Sequence, residues 1–111
     1  MTEVTNEQPR VELIHKALSN PARRDILRWL REPESFFDAE KYAQRGLDIA
    51  AGVCVDDVRA RTELSQSVVS SYLASMQDAG LLRSQRIGKW TYYRRDEAAI
   101  AAFVRYVADE L

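Results

Sequence analysis

The sequence predicts a mostly α-helical domain with one small β-hairpin, on three observations. Apolar residues recur at helical spacing through most of the 111 residues. Between Val55 and Gly80 a short helix, a tight turn and a longer helix follow one another without a break. Beyond Gly80, two runs of strand-forming residues flank Gly88-Lys89, and a final apolar helix closes the chain.

In order, residues 1–9 read as a polar tail. They hold no apolar run and no basic lead, so no secretory signal is expected. A helix begins at Arg10, with Val11, Ile14 and Leu18 on one face and Leu13 and Ala17 beside them. It ends at Ser19-Asn20. Asn20-Pro21 then starts a second helix, Asn as the cap and Pro at the first position, where its missing N–H costs nothing. That helix runs to about Arg31, burying Ala22, Ile26, Leu27 and Leu30, and Glu32-Pro33 stops it. Residues 33–52 are the least legible. A short helix from Asp38 to Arg45, halted by Gly46, fits them. Phe36, Phe37 and Tyr42 either cap the core or wall a small-molecule pocket. Gly52-Val53-Cys54-Val55 is a β-branched run suited to an edge strand.

The centre of the chain is a helix-turn-helix. Asp56–Arg61 forms its first helix, Thr62-Glu63-Leu64 its turn, and Ser65 the N-cap of its second helix, which stops at Gly80. At about 100° per residue, Ser65, Val68, Val69, Tyr72, Leu73 and Met76 form a core stripe. Gln66, Ser67, Ser70, Ser71, Ala74 and Gln77 form the opposite face. That face is small, uncharged and rich in hydrogen-bonding groups: it is either a face that can reach base edges in a major groove or an ordinary surface poor in charge.

Leu81 and Leu82 return to the core. Arg83–Ile87 and Trp90–Arg94 read as strands joined by a two-residue turn. Leu81–Arg95 holds Arg83, Arg86, Lys89, Arg94 and Arg95 and no acidic residue. A basic hairpin beside a helix-turn-helix reads as a wing, with Arg83, Arg86 and Lys89 the candidate phosphate contacts; solubility or edge protection is the alternative for its charge. Asp96 caps a last helix, Glu97–Glu110, whose stripe of Ile100, Phe103, Val104, Val107 and Leu111 requires a cover. A two-fold dimer through the first and last helices supplies one, and sets two recognition helices about one turn of DNA apart. The expected fold is thus a winged helix-turn-helix, dimeric through its first and last helices.

Composition narrows the function. Sixteen basic and 17 acidic residues leave a net charge of −1, so only the local distribution points to a polyanion. Cys54 is the only cysteine and His15 the only histidine, which excludes an internal disulfide and any four-ligand Cys/His zinc site within one chain. No cofactor is expected, and no stretch reaches the length of a membrane span. No nucleophile–base pair or phosphate-cradling loop suggests an enzyme. A cytoplasmic DNA-binding protein is the first expectation. A winged helix that docks an acidic protein partner is the alternative. Cys54 reads as a small buried residue or as a redox sensor, with Asp56 and Asp57 opposing thiolate formation.

ALSNPARRDILRWL followed by LSQSVVSSYLASMQDAGLLRSQRIGKWTYYR resembles the ArsR/SmtB family of winged-helix repressors over about residues 11–111. The marks are Leu18-Ser19-Asn20-Pro21 with Arg23, Leu64-Ser65-Gln66-Ser67, Ala79-Gly80-Leu81 and Gly88-Lys89-Trp90 with Tyr92-Tyr93. The resemblance implies a homodimer on an inverted-repeat operator, with Gln66, Ser67, Ser70 and Ser71 reading the groove and Arg86 and Lys89 holding phosphates. Residues 10–111 would form the single DNA-binding domain, with 33–52 an insertion before the helix-turn-helix. Arsenic and metal sensors of the family carry Cys-Val-Cys where this chain has Cys54-Val55-Asp56. Its zinc sensors use Asp and His in the last helix, where this chain has Asp109 and Glu110 but no His. Either a non-metal effector, a small molecule or thiol oxidation, or no effector at all is therefore expected.

Overall fold

The structure, a computed structural model, describes residues 9–111. All but Pro9 of the tail expected over residues 1–9 lies outside the described residues. The helices are α1 (Val11–Leu18), α2 (Pro21–Arg31), α3 (Pro33–Phe36) and α4 (Ala39–Gln44); a 3₁₀ turn (Ile49–Ala51) and β1 (Val53–Cys54) follow. Then come α5 (Val55–Arg61), α6 (Gln66–Asp78), β2 (Leu82–Ile87), β3 (Trp90–Arg95) and α7 (Glu97–Glu110).

The junction of α1 and α2 is built from its own sequence. Asn20 Oδ1 accepts the N–H groups of Ala22 (2.8 Å) and Arg23 (3.2 Å), as an N-cap does. Arg23 turns back, its Nε donating to the Ala17 carbonyl at 2.8 Å and its Nη2 to that of Lys16 at 3.0 Å. Arg24 Nη1 donates to the Leu18 carbonyl at 2.6 Å. The first turn of α2 thus satisfies the last carbonyls of α1, which have no partner within their own helix.

The core gathers around α6. Its Val69, Leu73 and Met76 are each fully buried, in one cluster with Ile14 and Ala17 of α1, Ile26, Leu27 and Leu30 of α2, Val58 of α5, and Leu81 and Leu82. The stripe expected on α6 is narrower than its sequence pattern. Ser65 is exposed, and Val68 and Tyr72 are half-buried. Ser65 sits outside because its hydroxyl caps the helix, accepting the Val68 N–H at 3.2 Å. On α2, Ala22 is only half-buried, since the first turn faces α1 rather than the core.

The sheet is antiparallel, in the order β1-β3-β2, so the expected edge strand is present beside β3. Val53 pairs with Tyr93 and Cys54 with Tyr92. Gly52 makes this close approach possible: it has φ +156°, and a Cβ there would lie 3.0 Å from Tyr92 Cβ. Pro33 ends α2 as expected, but it also opens α3, whose first turn suits proline. Neither α3 nor the 3₁₀ turn was read from the pattern; each is a single turn, too short for a periodicity to show.

Asp96 caps α7, accepting the Ala99 N–H at 3.0 Å, and pairs with Arg83 at 2.9 Å. No residue of α7 is fully buried within the protomer. Val104 is 59% and Leu111 87% exposed, and Leu13 of α1 is also exposed. His15 lies edge-on to Phe103, 5.9 Å between centroids, and joins α1 to α7 as a packing residue.

Replacing Asn20 by Ala removes both capping bonds and is expected to cost about 1–2 kcal/mol, read as a lowered urea midpoint with unchanged slope. Burial pushes the Asp96 carboxyl upward, but the Ala99 N–H and Arg83 outweigh it and hold the group below the usual carboxylate value. The stability this contributes is present above the unfolded value of about 3.9 and is lost as pH falls through the lower folded value. Asp96→Asn should therefore lose less stability than the wild type between about pH 5 and 3, measured by urea unfolding at each pH.

Candidate nucleic-acid interface

Two elements carry the candidate residues: α6 and the β2–β3 hairpin. Complete burial of Val69, Leu73 and Met76 turns the other face of α6 to solvent. There Gln66, Ser67, Ser71, Ala74 and Gln77 are exposed and Ser70 is half-buried. No side chain on this face carries a charge. Ser67 Oγ lies 3.2 Å from Ser65 Oγ, so its position is set by the cap. Tyr72 marks the border between the two faces. Its hydroxyl accepts from Asn20 Nδ2 at 3.2 Å, and the Arg23 guanidinium stacks 4.9 Å from its ring centroid. The α1–α2 junction therefore fixes the rotation of α6 about its own axis. The Asn20 and Arg23 contacts to Tyr72 were not read from the sequence, although both residues lie in the quoted Leu18–Arg23 motif.

The wing is the β2–β3 hairpin, with Ile87 opposite Trp90 and Gly88 at φ +63° in its two-residue turn. Arg86 Nε donates to the Gly88 carbonyl at 3.1 Å, and Lys89 Nζ lies 5.5 Å from the Trp90 ring centroid. Both cations are exposed at the tip. Arg83, expected among the free phosphate contacts, instead forms an ion pair with Asp96, so it braces the wing against the start of α7. Arg95 is likewise engaged, with Glu97 and with the Leu27 carbonyl. Arg94 was not singled out from the sequence. It is exposed, stands opposite Arg83 in the register, and lines with Gln77 a cleft of about 460 Å³ between the end of α6 and the base of the wing. The two-residue turn would have allowed that pairing to be counted: if Ile87 faces Trp90, then Arg83 faces Arg94.

The remaining candidate sites lie elsewhere. Cys54 is 8% exposed, and burial pushes its thiol up, with the charges of Asp56 and Asp57 adding to the rise. In this conformation it is a core residue and a poor nucleophile. The three aromatics expected around one pocket belong to two separate packing clusters. Tyr42 is 2% exposed, its ring edge-on to Tyr92. Its hydroxyl donates to Asp57 Oδ2 (2.6 Å) and accepts the Cys54 N–H (2.8 Å), while Lys41 Nζ donates to Asp57 Oδ1 (2.9 Å). Phe36 and Phe37 lie with Trp29 around the guanidinium of Arg61. A buried phenol with all its partners inside the protein plugs the core and leaves no wall free for a ligand, so Tyr42 is corrected to a structural role.

No protein-family model matches the chain. YbzH of Bacillus subtilis, an uncharacterised HTH-type transcriptional regulator, is 40% identical over 99 residues, which span 88% of this chain and 95% of the relative. An ArsR-like transcriptional regulator from Rhodococcus sp. RHA1 superposes with a TM-score of 0.65 at 20% identity, over 89% of this chain and 76% of the other. The homodimeric winged helix-turn-helix DNA-binding domain of Mb0332 from Mycobacterium bovis, a possible ArsR-family regulator, does so with a TM-score of 0.55 at 28% identity, over 91% and 80%. With a helix-turn-helix, a basic wing and a near full-length relative of this class, the chain belongs to the ArsR/SmtB family of winged helix-turn-helix transcriptional regulators, which are DNA-binding proteins and not enzymes.

Proposed function

We propose that this chain works as a homodimeric repressor on an inverted-repeat operator and leaves it on a non-metal, small-molecule signal. The observation that carries the DNA-reading role is the uncharged, exposed face of α6, set opposite a fully buried one. Gln66, Ser67, Ser70 and Ser71 would meet base edges, and Arg86, Lys89 and Arg94 would meet phosphates. Dimerisation is supported by α7, which buries no residue in its own protomer while presenting Val104 and Leu111. The homodimeric state of the Mycobacterium bovis domain agrees with it. The single buried Cys54, with Asp56 following where metal sensors carry a second cysteine, favours a signal other than a soft metal or an oxidant. The site of action would be the cytoplasm, where its operator lies.

Fluorescence anisotropy against the protein's own upstream DNA and a scrambled duplex, over a salt series, tests this reading. Tight binding to the native duplex alone is expected. Arg86→Ala and Lys89→Ala should each reduce the salt slope by about one while weakening both duplexes alike. Gln66→Ala should cost about 1–3 kcal/mol on the native duplex only. Equal, weak binding to both duplexes would instead favour a wing that docks an acidic protein.

Val104→Asp places a charge on the exposed stripe of α7. Sedimentation should show a monomer, with operator affinity reduced at least tenfold; an unchanged dimer would place the interface elsewhere.

A further inference from the structure

Three aromatic rings surround a charge that the chain supplies itself. The guanidinium carbon of Arg61 lies 5.0 Å from the ring centroid of Trp29, 5.1 Å from that of Phe36 and 6.0 Å from that of Phe37. Trp29 and Phe37 meet edge to face, 6.5 Å apart, and form adjoining walls of one box. Several rings around one cation is the arrangement by which proteins hold quaternary ammonium groups, whose charge is spread over methyls and needs no hydrogen bond. Arg61 is a loosely held occupant. It is exposed, donates one hydrogen bond (Nη1 to the Phe36 carbonyl, 2.9 Å), and has no carboxylate partner among the described residues.

Its position gives the box leverage. Arg61 is the last residue of α5, and the turn into α6 begins at the next residue. There Thr62 Oγ1 donates to the Arg59 carbonyl at 2.8 Å and accepts the Leu64 N–H at 3.1 Å. Trp29 comes from α2, and Phe36 and Phe37 from the end of α3, so the box ties the 33–52 segment to the hinge of the helix-turn-helix.

We propose that the Trp29–Phe36–Phe37 box is a binding site for a small organic cation of the quaternary ammonium class, which displaces Arg61 and loosens the α5–α6 turn. The consequence for DNA rests on the repressor reading above; the binding itself does not. A cation that enters without a hydrogen-bonding head exchanges one π-bound charge for another and frees the Arg61 side chain to solvent.

Trp29 and Trp90 are the only tryptophans, so the full chain carrying Trp90→Phe reports on the box alone. Choline and its neutral carbon isostere 3,3-dimethylbutan-1-ol are titrated against Trp29 fluorescence, in that chain and in the same chain with Arg61→Ala. A saturable change with choline is expected, at least tenfold tighter once Arg61 is gone and at least tenfold weaker for the isostere. Arg61→Met serves in the same way if circular dichroism shows the alanine variant unfolded. No saturable change in any variant, or equal response to the isostere, would overturn the site and leave Arg61 as packing. With Trp90 intact, choline should lower operator affinity in the anisotropy assay. Cation binding without DNA release would overturn the coupling to the turn. Failure to bind DNA at all would count against the repressor reading and leave the fluorescence result standing.

Discussion

One constraint governs this molecule: a single helix has to be both the middle of its core and the exposed polar face proposed to read DNA. Val69, Leu73 and Met76 meet the first demand by burying completely, and residues one or two positions away meet the second. A helix that gives up one whole face to packing cannot rotate without opening a void beneath it, so the opposite face is held as firmly as the core. Tyr72, on the border, adds a polar lock to the apolar one through Asn20 and Arg23. The same two residues close the α1–α2 junction, so an early turn of the chain and the orientation of the later reading helix depend on shared atoms. Functional groups mounted on a rigid element keep their geometry without help from a ligand.

Much of this was legible because it is local. Asn20, Ser65 and Asp96 announce helix starts through a side chain that reaches two or three residues ahead, and each does so here. The wing follows from Gly88-Lys89 between strand formers for the same reason. What could not be read depends on pairs far apart in sequence. Tyr42 could be read as a core cap or as a pocket wall because nothing in its neighbourhood reveals that residues 54 and 57 will satisfy its hydroxyl. Arg83 looked free because Asp96 lies 13 positions on and also reads as a cap. For the candidate site, composition and helical phase identified the polar face of α6. Strand register was needed to set Arg94 opposite Arg83.

The segment 33–52 grips α5 at both ends. Near the start, Asp57 receives the Tyr42 hydroxyl and Lys41; at the end, Arg61 enters the aromatic box. In the first grip Tyr42 is buried and Asp57 half-buried, and burial together with the bond to Asp57 raises the Tyr42 hydroxyl far above its ordinary value, so it remains a donor throughout the physiological range. The second is a surface contact with one hydrogen bond. The lighter of the two grips is the one that adjoins the turn into α6.

The last helix carries a consequence for dose. No residue of α7 is fully buried within its own chain, and Val104 and Leu111 stay wet in the single protomer; in the proposed dimer a second copy would cover them. If the pair is what completes the structure, the folded fraction follows protein concentration rather than sequence alone. Halving the number of copies in a cell would then remove more than half of the working regulator, and the regulated genes would respond to its abundance as a threshold rather than in proportion.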